Sequence, residues 1–254
     1  MLEKETEIIK AILTPMLQEH PDIKISIHFS DHLHDDSVAL CENLAFKDFL
    51  QGRSLSEIKK HDSSNGTYLL PKDMGSIQYI LISTHQLADG FSYISTAVHE
   101  TQHAINNTSF SKLYCDGCFE AVGDHKYGGI FQIWDEYTAR KMGHRTFTGT
   151  IMPIIMQMSY SEIKQHLIEK EMPVRLTELR TLFKTAIAST ENIKSIAVLL
   201  AMFSVWESDF EIDINGLPEL LLAVLRGLDE YPTVSDIDFL SLKFKLDYLW
   251  DCMA

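Results

Sequence analysis

Cysteine, glycine and proline are all scarce in this chain of 254 residues, at 4, 12 and 7. Cys41, Cys115, Cys118 and Cys252 are too few and too scattered for a secreted disulfide scaffold of this length. So little glycine and proline excludes a collagen-like chain, and 45% hydrophobic residues exclude a disordered one. Positive charge is also short. With 22 Lys+Arg against 36 Asp+Glu the formal charge is -14, a field that repels phosphate backbones and anionic headgroups, so neither nucleic acid nor a membrane is an expected partner. Long apolar runs are missing too: the longest spans Ile196 to Trp206, is interrupted by Ser204, and is too short to cross a bilayer. Met1 to Met16 shows no basic stretch ahead of an apolar one, so a secretory leader is not expected and cytoplasmic residence is.

What is present is periodic. Ile8, Ile9, Ile12, Leu13 and Leu17 mark a helix over Glu3 to Leu17 that Pro21 stops, and Ile23 to Phe29 alternates as a one-sided strand. Helical spacing returns over Ser37 to Leu50. Thr67 to Leu70 and Ile77 to Ile82 read as further strands, the second apolar on both faces and therefore covered on both sides or close to a cleft. From Phe91 the pattern is helical: Ser92 to Asn107, Gly129 to His144, Ser161 to Thr190, Asn192 to Trp206, Pro218 to Leu228 and Ser235 to Trp250, the last with Ser235 as its expected cap. The polar, glycine-bearing stretch Thr108 to Gly129 reads as a long linker, a length that usually has a function. The expectation is an α+β fold in which a small mixed or antiparallel sheet packs on two helices. An all-helical C-terminal region follows, with residues 1–146 as the core and 147–254 as the extension.

Within the helix over Ser92 to Asn107 stands His99-Glu100-Thr101-Gln102-His103, the pattern HExxH. Helical geometry sets the two histidines one turn apart on one face, so both imidazoles can reach one ion with a carboxylate beside them. A bound zinc lowers the pKa of its water toward about 7, and an adjacent carboxylate can take that proton. In a chain of this composition the pattern arises by chance roughly 0.03 times. Ile94, Val98 and Ile105 mark an opposite apolar stripe that seats the helix. Such a site needs a third protein ligand and leaves one position for water. The helix over Gly129 to His144 supplies two adjacent carboxylates, Asp135 and Glu136.

The order HExxH helix, loop, then a helix presenting Glu136 with the small Ala139 three positions later resembles the gluzincin class of zinc metallopeptidases. It is most similar to small single-sheet members, over about residues 1 to 146. The resemblance implies that His99, His103 and Glu136 ligate zinc and that Glu100 is the general base of peptide-bond hydrolysis. Where many gluzincins carry an acid four residues after the ligand glutamate, this chain has Arg140, so Asp135 or a backbone carbonyl would have to fix the histidine tautomer. Ser109 stands where a metzincin would carry its third histidine.

An oxyanion donor is also needed, and Tyr137, Tyr127 and His125 are the candidates, with His144 and Arg140 behind them. The strand Ser76 to Ser83 could offer an edge on which an extended peptide adds as a strand. Cys115-Asp116-Gly117-Cys118 is a lone CxxC, readable as ordinary thiols, a loop-closing disulfide, a secondary metal site helped by His125, or a redox pair. His28, His32 and His34 with Asp31, Asp35 and Asp36 read as a polar strand end. Met152, Met156 and Met158 with Ile154 and Ile155 read as core filling or an apolar groove. The expected activity is zinc-dependent cleavage of a peptide or protein substrate. Two other readings stay open: a gluzincin-like regulator acting on one specific protein, and a non-enzymatic helical interaction protein. Oligomeric state is not legible.

Overall fold

The computed structural model describes residues 2–43, 54–71, 76–185 and 189–253. The chain has the expected α+β composition, a three-stranded mixed sheet followed by a helical C-terminal region. It divides into two compact units, Met1–His125 and Lys126–Ala254.

In the first unit helix α1 (Leu2–Gln18) leads into β1 (Lys24–Ser30), α2 (Leu33–Asn43), α3 (Leu55–Asp62), β2 (Gly66–Leu69), β3 (Ile77–Ser83), α4 (Ser92–Tyr114) and the single turn α5 (Ala121–Asp124). The sheet order is β1-β3-β2, with β1 parallel and β2 antiparallel to β3. Pleating then sorts the side chains. On one face Ile25 and Tyr68 join the cluster of Ile23, Ala104 and Ile105 with Met16 and Leu17, so this face packs on α4 and α1. On the other, Leu69, Leu81 and Tyr79 pack with Leu33, Leu40 and Cys41 of α2. Ile80, Leu81 and Ile82 are fully buried, which is why β3 is apolar on both faces.

Three expectations need correction here. β3 is the central strand, with β1 along the whole of one edge and β2 along the other over Tyr79 to Ile82, so neither of these edges stands open among the described residues. The strand β1 ends at Ser30 and α2 already begins at Leu33, so His34, Asp35 and Asp36 lie in the first helical turn instead of continuing a strand. Ser30 closes that corner, donating its hydroxyl to Asp36 at 2.6 Å and accepting the His32 amide at 3.0 Å. Residues 44–50 of the expected helix lie outside the described residues. Finally α4 does not stop at Asn107. The run Asn106 to Ser111 has poor helix propensity, but tertiary contacts override it: Gln78 donates to the Thr108 hydroxyl at 3.0 Å, and Phe110 and Ser111 are fully buried.

The second unit contains α6 (Gly128–Thr146), α7 (Met152–Met156), α8 (Tyr160–His166), α9 (Met172–Thr185), α10 (Thr190–Phe210), α11 (Glu219–Asp229) and α12 (Phe239–Met253). Its core is built on α6 lying along α10, with Trp134, Phe203 and Trp206 almost wholly buried. A polar knot ties three helices: Tyr137 donates to Asp229 at 2.7 Å, Ser204 donates to the same carboxylate at 2.8 Å, and Lys141 pairs with it. Two π-helical turns, Phe147–Ile151 and Leu167–Glu171, each lead up to a proline, Pro153 and Pro173. A proline ring crowds the carbonyl four residues before it, and the wider π turn holds that carbonyl in each case. The α12 cap is Asp238 in place of the expected Ser235: its carboxylate accepts the Leu240 and Ser241 amides, both at 3.1 Å. Among the described residues no helix is long and apolar enough to cross a membrane.

Candidate metal centre

The start of α4 is held by Asp89, whose carboxylate accepts the Phe91 amide at 3.0 Å and the Ser92 amide at 2.8 Å. Burial works against ionising that carboxyl, but the Ser92 hydroxyl and these amides outweigh it and keep its pKa below the ordinary value. From there α4 is buried on most of its circumference, because the sheet takes one side and α1 packs on another. Its middle turn therefore holds His99, Glu100 and His103 on a rigid rod.

The imidazoles face each other, Nε2 to Nε2 at 3.1 Å, with ring planes close to perpendicular at 87°. Glu100 is buried, and one ligand atom from each of the three residues lies within 4.8 Å of the others. Two nitrogens bound to one tetrahedral ion at about 2.0–2.1 Å would stand roughly 3.3 Å apart, so the pair is already at nearly the span that shared coordination requires. Among the described residues this trio is the group able to hold a metal ion, and the donor set of two imidazoles and a carboxylate fits a divalent cation such as zinc.

Sequence reasoning missed one residue beside the trio. Gly66, at the start of β2, faces α4 so closely that a Cβ there would lie 2.6 Å from Thr96 Cγ2, 2.9 Å from the Leu81 carbonyl and 3.5 Å from Glu100 Oε1. A glycine inside a strand often marks such a close approach, the signal that could have found it.

The remaining expected site residues are distributed as follows. Glu136 lies half-buried in the middle of α6, next to the buried Asp135. Tyr137 is fully buried with its hydroxyl donated to Asp229, and burial followed by that carboxylate pushes its pKa well up. Tyr127 stacks on Phe239 at 4.7 Å. His125 sits against the rings of Phe110 and Tyr114 at 5.4 and 5.7 Å. His144 accepts the Trp206 indole N–H at 2.8 Å, and burial, with Arg140 and Arg175 near it, lowers its pKa to about 3. Arg140 Nε is buried with no hydrogen-bond partner among the described residues. Cys115, Cys118 and His125 do not form a second cation-holding group among the described residues.

No protein family, curated protein or solved structure matches this chain.

Proposed function

We propose that the protein is a metal-dependent hydrolase that cleaves peptide bonds, with zinc as its ion. The observation that carries this reading is the facing imidazole pair, 3.1 Å apart, with a buried carboxylate beside it on one helical turn. In this reading His99 and His103 hold the ion through their facing imidazoles. When bound, zinc supplies a Lewis acid for the scissile carbonyl and lowers the pKa of a water. Glu100 takes the proton of the attacking water and hands it to the departing amine, a role its burial favours by excluding competing solvent. A donor must meet the developing oxyanion, and Tyr137 is poorly suited to that role because its hydroxyl already serves Asp229.

The test is elemental analysis of the purified chain, followed by digestion of a peptide library with and without a chelator. About one equivalent of zinc per chain is expected, with His103→Ala abolishing it. Stoichiometric metal retained in His103→Ala would place the ligands on other residues and end this reading. Chelator-sensitive cleavage of many peptides would mark a general peptidase. Bound metal without such cleavage would favour a dedicated regulator of one protein.

A further inference from the structure

The proposed hydrolysis leaves the CxxC segment unused, and its backbone is unusually well specified. Cys115 and Gly117 both donate their amides to the Ser111 carbonyl, at 2.9 and 3.0 Å, and Cys118 donates its amide back to the Cys115 carbonyl at 2.8 Å. These bonds end α4 and close a tight turn with a cysteine at each end. The two central residues, Asp116 and Gly117, have φ of 50° and 81°. Glycine accepts that conformation freely, whereas aspartate gives up on the order of 1 kcal/mol to adopt it.

The end residues of such a turn have Cα atoms within about 7 Å, which overlaps the span of about 4.4–6.8 Å over which a disulfide closes. Both sulfurs are free thiols, but they differ in access, Cys115 being buried and Cys118 exposed. Burial, then the neighbouring Cys118 and Asp116, disfavour the Cys115 thiolate, so attack from solution enters at Cys118. A metal reading finds no third ligand here among the described residues.

We propose that Cys115 and Cys118 are a reversible dithiol–disulfide pair, converted by a small-molecule disulfide into a bridge across the C-terminal cap of the helix that carries His99 and His103. The Cys118 thiolate attacks oxidised glutathione, forming a mixed disulfide and releasing one reduced glutathione. Cys115 then loses its proton and attacks the Cys118 sulfur, expelling the second. Two protein thiols are oxidised and one glutathione disulfide is reduced to two thiols.

The experiment treats the full-length Cys41→Ser/Cys252→Ser chain with oxidised glutathione, traps free thiols with iodoacetamide and reads the intact mass. The expected product has lost two hydrogens and takes up neither glutathione nor alkylating agent. With Cys115→Ser added, the reaction should stop at a stable single glutathione adduct on Cys118; with Cys118→Ser added, it should slow at least about tenfold. Two adducts on the double-Ser chain, or an undiminished rate in Cys118→Ser, would overturn the proposal. Because Cys41 is buried and its replacement risks the fold, peptide mapping of the oxidised wild-type chain gives a second reading. A Cys115–Cys118 bridge supports the proposal, and a bridge from Cys118 to Cys252 refutes it.

Discussion

At the scale of single residues, the proposed role of Glu100 as base separates metal binding from chemistry. Its carboxylate is buried beside the imidazole pair, and the amide of Glu100→Gln keeps the shape while losing the ability to accept a proton. That variant should retain its zinc and lose at least about a hundredfold in kcat for peptide hydrolysis; unchanged turnover would remove Glu100 as the base. His144 makes a different prediction. Its pKa falls from 6.5 to about 3 in the folded chain, so below pH 6.5 the unfolded chain binds a proton that the folded chain refuses. Stability is then fully present above 6.5 and drains away as pH drops toward 3, by an amount on the order of 4 kcal/mol. Urea titrations at pH 7 and pH 4.5 should show this loss, and His144→Gln, which still offers Trp206 an acceptor, should show a smaller one.

At the scale of elements, the seat of α4 against β2 depends on a missing side chain. Gly66→Ala would drive a methyl group against the Leu81 carbonyl and the branched, inflexible Thr96. A loss of about 1–3 kcal/mol in denaturant unfolding is expected, and an unaffected midpoint would mean that the strand and helix can part cheaply. Elements with strong periodicity were legible in the sequence: α1, β1, β3, α6 and the HExxH turn of α4 all stand within a few residues of their expected places. Legibility failed where partners distant in sequence decide the outcome. Nothing local in Asn106 to Ser111 announces a helix, because what holds it is Gln78 and the burial of Phe110. The central position of β3 likewise depends on two strands chosen by topology, although its two apolar faces hinted at cover on both sides. In the candidate site the two histidines and Glu100 could be read from helical spacing alone, whereas Gly66 and the Asp229 knot arise only from packing.

At the scale of the whole molecule, the charge of -14 would set which substrates approach the proposed hydrolase fastest. A field of that sign gathers cations, so lysine- and arginine-rich peptides should be cleaved with higher kcat/KM than acidic peptides of equal length. The difference should shrink as salt rises from about 0.05 to 0.5 M. Equal rates for both classes at low salt would mean that the charge around the site is locally balanced. The parallel pairing of β1 with β3 has a consequence for how the chain comes together. Lys24 meets Ile77, partners more than fifty residues apart in sequence, while α4 can begin to wind from its own neighbours. That closure costs the entropy of a long loop, whereas a helix turn draws on its own neighbours, so pairing β1 with β3 is the expected slow step in assembling the first unit.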